Sequence, residues 1–209
     1  MSRSKLLLYG NASSSAARRV RAVLIYKNVE FEEIMIDIVK GDAQYKALVN
    51  PMGMVPAVKF PQSDSVLFES LPIMELINEL YPEKPILPKD PYELARCRQI
   101  TEIVNSGMQP FQKPSIFKLS GMNEEEKQKF LNITQRRGLQ TLEHLVGLNY
   151  SVGDHLTIAD FAVVCHIRNL IERWNLSLTD YPRVEALYKK LKDIDCFVKS
   201  HPDLQLKTA

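Results

Sequence analysis

The chain has 209 residues, 45% hydrophobic and 25% charged, a globular composition that excludes bulk disorder. Lysine plus arginine number 27 against 25 aspartates and glutamates, so the basic field that a nucleic-acid partner requires is absent. No apolar run approaches the roughly 20 residues that span a bilayer, and Met1–Lys5 leads into only Leu6-Leu7-Leu8, far short of a signal-peptide core.

Lys5–Tyr9 reads as a short apolar strand. Ser13, Ser14 and Ser15 then precede a helix over Ala16–Lys27, with Val20, Val23 and Leu24 at helical spacing. Serine there is a natural N-cap. Arg18, Arg19 and Arg21 on that helix read as a helix face with possible ion pairs, since the modest net charge gives no wider basic field. A strand over Phe31–Ile38 and a helix over Asp42–Val49 follow, then strands at Val55–Phe60 and Val66–Phe68 and a helix at Ser70–Leu80. Strands alternating with helices predict an α/β domain with a partly parallel sheet.

Of the twelve prolines, Pro51, Pro56, Pro61, Pro72, Pro82, Pro85, Pro88 and Pro91 fall in one stretch. The last four forbid regular structure between residues 82 and 91, because proline removes a backbone donor and fixes φ. The expected organisation is therefore an α/β domain over 1–82, a linker over 83–91 and an all-helical domain over 92–209. Helices are predicted at Tyr92–Leu119, Asn123–Asn149, Thr157–Arg173 and Arg183–Asp193. Thr157 and Asp160 have the spacing of a capping box, so Asp160 is assigned to folding rather than chemistry. Phe161–Ile171 is apolar on nearly every face, which predicts a central helix of a bundle.

Cys97, Cys165 and Cys196 have neither disulfide nor zinc spacing, and His144, His155, His166 and His201 have no ligand spacing. No metal site is expected. Free thiols fit a reducing, cytoplasmic compartment.

Three short segments could carry chemistry. Gly10–Ser15 joins a strand to a helix N-terminus, where amides and hydroxyls favour an anion, although simple capping explains the serines as well. Val55-Pro56 stands just before a strand, where a cis bond would turn backbone polar groups toward a ligand. Glu69-Ser70 opens a helix, with Ser70 as the expected cap and Glu69 able to meet an ammonium group.

Together, and in this order, these segments resemble the cytosolic glutathione transferases, most of all their zeta class, which includes maleylacetoacetate isomerase. Ser14-Ser15-Ala16-Ala17-Arg18-Arg19-Val20-Arg21 is similar to the zeta pattern Ser-Ser-Cys-Ser-Trp-Arg-Val-Arg. Asn50–Pro56, Glu69-Ser70, Ser106–Gln112, Val152–Asp160, Arg173–Leu176 with Asp180–Pro182, and His201–Asp203 match further stretches, so the likeness covers nearly the whole chain. It implies a thioredoxin-like N-terminal domain with a C-terminal helical bundle, glutathione as cofactor, and a homodimer.

The implied glutathione contacts are Ser14, Ser15, Arg19, Val55, Pro56, Glu69, Ser70 and Gln109. Ser14 is the implied stabiliser of the thiolate, with Ser15 the fallback. Arg173 and Gln109 are the implied substrate contacts. The implied activity is cis-trans isomerisation of a maleylacetoacetate-like dicarboxylate, or transfer of glutathione to a small electrophile such as an α-haloacid. The alternative is a non-catalytic binding or interaction module on the same fold. The motif's cysteine is Ala16 here and its tryptophan Arg18, which rules out a mixed disulfide at that position.

Overall fold

The computed structural model describes residues 5–38 and 40–205, so residues 1–4, 39 and 206–209 of the expected domains lie outside the described residues. The first part builds β1 (Leu6–Gly10), α1 (Ser15–Tyr26), β2 (Phe31–Met35), α2 (Ala43–Leu48), β3 (Ala57–Lys59), β4 (Val66–Phe68) and α3 (Ser70–Leu80). The sheet order is β2-β1-β3-β4, with β1 parallel to β2 and both other pairs antiparallel. This is the thioredoxin-like arrangement expected above. Leu6 and Leu8 are fully buried while Leu7 and Tyr9 are half-exposed, the period-two pattern of a strand. Along α1, Ala17, Val20, Val23 and Leu24 are buried, and the helix packs beside α3.

The second part is all-helical: α4 (Pro91–Asn105), a 3₁₀ turn (Gln109–Gln112), α5 (Pro114–Ser120), α6 (Glu124–Leu145), α7 (Ile158–Glu172) and α8 (Pro182–Leu191). α7 is buried without interruption from Ile158 to Ile167 and packs on α4 and α8, the central position its composition predicts. No helix among the described residues is long and apolar enough to cross a membrane.

One expectation is corrected. The helix expected over Tyr92–Leu119 is broken in two. A Cβ on Gly107 would sit 2.7 Å from the Ile103 carbonyl oxygen, and Pro110 and Pro114 have no N–H to continue the ladder. By contacts, the described residues up to Pro85 and from Ile194 form one compact unit, and Ile86–Asp193 form the other. Two short helices, α9 (Asp195–Lys199) and α10 (Pro202–Gln205), make up the described tail, and α9 packs on α1. The division falls inside the proline-rich stretch, where Ile86 is buried and its carbonyl accepts the N–H of Ile158 at 2.9 Å.

The basic run on α1 forms an ion pair, as expected, and does so from a buried position. Arg18, Arg19 and Arg21 are 3%, 1% and 1% exposed. Arg21 forms a two-pronged ion pair with Glu33 of β2, its Nε donating to Oε2 at 2.7 Å and its Nη2 to Oε1. Arg18 donates to the Phe197 carbonyl at 2.9 Å and Arg21 to the Ser200 carbonyl at 3.4 Å. These cations satisfy carbonyls at the end of α9 that have no partner within the helix. Gly10 makes room for the ion pair, since a Cβ there would lie 2.1 Å from Glu33 Oε1.

Candidate functional site

Sheet register brings the three weak sequence signals to one place. Tyr9 of β1 pairs with Ala57 of β3, and Ala57 pairs with Phe68 of β4. The chain therefore leaves β1 toward Ser14, enters β3 from Val55-Pro56 and leaves β4 into Glu69-Ser70, all at the same end of the sheet. Ser14, Ser15, Val55, Pro56, Glu69 and Ser70 share that end.

The first loop is held by its own side chains. Asn11 donates through Nδ2 to the Ile36 carbonyl at 2.9 Å, and its Oδ1 accepts from the Ser13 N–H and hydroxyl at 3.0 and 2.8 Å. Ser14 is the N-cap of α1, its Oγ accepting the Ala17 N–H at 3.2 Å. A hydroxyl that accepts from the helix retains its own proton for donation outward. The capping and anion-binding readings are thus compatible in one residue. Ser15 is buried as the first helical residue, Ala16 is half-buried, and no acid occupies the first turn of α1 to compete for an incoming anion. Arg19, a turn further along, is buried within α1.

The Val55-Pro56 peptide bond is cis. Just before it, Tyr45 Oη and Asn50 Nδ2 both donate to the Met54 carbonyl at 2.7 Å. Burial pushes the Tyr45 hydroxyl up to about 12, opposed by its hydrogen bond with Asn50, so it stays protonated and donating. Sequence reasoning missed this clamp. Asn50 was visible only within the Asn50–Pro56 match, and the reach of Tyr45 across α2 has no local signature.

At the third segment the expected cap is corrected. Ser70 is already the first residue of α3 and buried, and Glu69 holds the N-cap position with φ 73° and ψ 120°. A side chain at such a φ costs about 1–3 kcal/mol and persists only where its surroundings impose it. Glu69 makes no side-chain cap, and Pro72 has no N–H. The first hydrogen bond back to the cap is that of Ile73 to the Glu69 carbonyl, at 3.2 Å. The opening of α3 thus presents amides and the Ser70 hydroxyl for an anion, beside the exposed Glu69 carboxylate.

Gln109 and Arg173 lie in the second unit. Gln109 begins the 3₁₀ turn, directly after Met108, whose carbonyl accepts from buried Gln135 Nε2 at 3.0 Å. Gln135 Oε1 faces His166 Nε2 at 2.9 Å. Because the Met108 carbonyl can only accept, Gln135 turns its oxygen to His166, and Gln112 Nε2 lies 3.5 Å from the same ring nitrogen. Arg173 is the residue after α7, exposed at its side chain, with partial desolvation drawing its pKa below the usual arginine value. Asp160 lies in the α7 cap as expected, accepting from the N–H groups of Ser151 and Thr157 and from the Thr157 hydroxyl.

Comparison with known proteins agrees with this fold. Family models described as the glutathione S-transferase N-terminal and C-terminal domains match residues 8–85 and 111–199. A probable maleylacetoacetate isomerase of Caenorhabditis elegans is 37% identical, over 100% of this chain and 98% of that protein. A crystal structure of a Methylobacterium extorquens maleylacetoacetate isomerase with bound malonate and glutathione superimposes with a TM-score of 0.87 at 28% identity, covering 95% of this chain and 97% of that one. A holo maleyl pyruvate isomerase, a bacterial zeta-class glutathione S-transferase, gives a TM-score of 0.89 at 28% identity over 97% and 100% of the two chains.

Proposed function

Since the chain belongs to the glutathione S-transferase family, in the zeta class that contains the maleylacetoacetate isomerases, we propose that it is a glutathione-dependent enzyme for small electrophilic dicarboxylates. Its expected reactions are cis-trans isomerisation of maleylacetoacetate-like substrates and glutathione transfer to small electrophiles such as α-haloacids. One observation carries this reading: Ser14 caps α1 while keeping its hydroxyl proton, at a sheet end shared with the cis Val55-Pro56 bond and the uncapped start of α3. Such a site favours the catalytic reading over the non-catalytic module.

The residues present fit the tripeptide. Ser14 donates its hydroxyl to the sulfur, with Ser15 the fallback donor, and the first amides of α1 add their partial positive charge. The Val55 backbone, before Pro56, pairs with the cysteinyl unit. Ser70 and the opening amides of α3 take the γ-glutamyl carboxylate, and Glu69 takes its ammonium group. Arg19 supports the start of α1 from within. Bound glutathione supplies a sulfur nucleophile that adds reversibly to an electron-poor double bond or displaces a halide. Gln109 orients the substrate, and Arg173 holds one of its carboxylates. The malonate and glutathione bound in the Methylobacterium relative support a dicarboxylate-type substrate. With Ala16 in place of the motif cysteine, the reaction proceeds without a protein thiol at that position.

Cys97, Cys165 and Cys196 are buried and form no disulfide, which supports a reducing, cytoplasmic location. Retention on immobilised glutathione and glutathione-dependent isomerisation of a maleyl substrate are expected together. A protein that neither binds the matrix nor turns over favours the non-catalytic module. The protein is expected to be a homodimer, as the family resemblance implies, and sedimentation of the same preparation checks this; a purely monomeric species removes that part of the reading.

A further inference from the structure

The second unit holds a cation with no acid assigned to it. Arg173 follows α7, its N–H donating to the Asn169 carbonyl at 3.1 Å. The adjacent acid, Glu172, is taken by Arg168 at 2.5 Å, on the preceding turn. No carboxylate among the described residues pairs with Arg173. Its guanidinium carbon instead sits 5.1 Å from the centroid of the Trp174 ring, inside the range of a cation–π contact.

Trp174 is itself braced. Phe117 packs edge-on to it at 5.3 Å, Phe130 edge-on to Phe117 at 6.1 Å, and Phe111 to Phe130 at 6.0 Å. Phe111 belongs to the same 3₁₀ turn as Gln109. A continuous aromatic row within one unit therefore runs from the turn that carries Gln109 to the guanidinium of Arg173. Edge-to-face rings of this kind are mutually favourable and fix each other's orientation.

We propose that Trp174 is a positioning residue for substrate recognition: its ring holds the Arg173 guanidinium so that the N–H edge receives a carboxylate bidentately. This rests on the reading of Arg173 as the carboxylate anchor. An arginine on a flexible stem must be ordered before it can bind, and an arginine already held against a ring loses less on binding. The row also defines the substrate class further. A carboxylate held at Arg173 places the remainder of the molecule beside apolar ring edges, which suits a flat, conjugated dicarboxylate over a heavily hydroxylated one.

The test uses maleate as the probe, titrated by calorimetry into the full-length protein with glutathione present. Arg173→Ala should weaken maleate binding strongly. Trp174→Leu should weaken it about fivefold, in keeping with a partly desolvated cation–π contact, with glutathione affinity unchanged. Trp174→Phe should restore binding to within about twofold, because a ring is again present. In the Arg173→Ala background, Trp174→Leu should add nothing further. Should Trp174→Leu fail to fold, Trp174→Met removes the ring while keeping a long apolar side chain.

Unchanged maleate binding in Arg173→Ala removes the anchor, and this inference with it. A large loss in Arg173→Ala with none in Trp174→Leu leaves the anchor standing and overturns the positioning role. A further loss in the double variant also overturns it, because Trp174 then acts independently of Arg173.

Discussion

Ser14→Ala is expected to lower glutathione-dependent turnover about a hundredfold, the scale of removing one preorganised donor from a developing or bound anion. The substitution removes two things at once. It deletes the acceptor of the Ala17 N–H, and it deletes the hydroxyl proton aimed outward from α1. Loss of a cap costs about 1 kcal/mol when alanine replaces serine, but only a few tenths when glycine does. Ser14→Gly should therefore melt close to the wild type and still lose activity as fully as Ser14→Ala. Melting curves and initial rates on the three proteins check this. Ser15→Ala should be nearly silent in activity, because Ser15 is the buried first residue of the helix and not its cap. A reversed pattern, with Ser15→Ala inactive and Ser14→Ala active, moves the donor to Ser15.

Asp160→Ala should destabilise the second unit by about 3 kcal/mol, read as a shift of the denaturation midpoint. Asp160 is fully buried and accepts from the Ser151 N–H at 2.6 Å, the Thr157 N–H at 2.8 Å and the Thr157 hydroxyl at 3.0 Å. Alanine leaves these donors buried without partners at the head of the unit's central helix, a larger effect than losing an exposed cap. Asp160→Asn keeps one acceptor oxygen and should cost less.

The pH dependence separates the two variants further. Burial pushes the Asp160 carboxyl above its ordinary range, and the Ser151 and Thr157 donors pull it back only in part. The native state then keeps this proton to higher pH than the unfolded chain does. Its contribution to stability therefore falls as pH rises from about 4 through the raised value, and is level beyond it. Asp160→Asn does not titrate. The stability gap between wild type and Asp160→Asn should narrow as pH rises through that window, and a gap that widens contradicts the assignment.

What could be read beforehand followed the range of the interactions. β4 and α3 have the predicted bounds, since a proline-free apolar run and a helical period are local signals. The Thr157–Asp160 cap was legible for the same reason. The break between α4 and α5 was not, because the apolar pattern continues across Gly107 and Pro110 and hides the stop. α9 spans only Asp195–Lys199, too short to show a period. The buried arginines were illegible on principle. Charge argues for solvent, while the carbonyl that Arg18 reaches lies 179 residues away in the chain.

The candidate site divides in the same way. Each of its segments has an ordinary explanation when taken alone. The Tyr9, Ala57 and Phe68 register that joins them is a property of the sheet and not of any segment. Family likeness supplied that convergence before the structure did. It supplied an aromatic after Arg173, but not the Tyr45–Asn50 clamp on Met54, the positive φ of Glu69, or the packing of the Trp174 ring against the Arg173 guanidinium.

The most direct measurement is the ionisation of the glutathione thiol while bound, followed by its ultraviolet thiolate absorbance across pH in wild type and Ser14→Ala. A free thiol titrates near 8.5. The wild-type complex should titrate well below that value, and the Ser14→Ala complex should return most of the way to it. A wild-type thiol that titrates as it does in water, or a variant indistinguishable from wild type, contradicts the account.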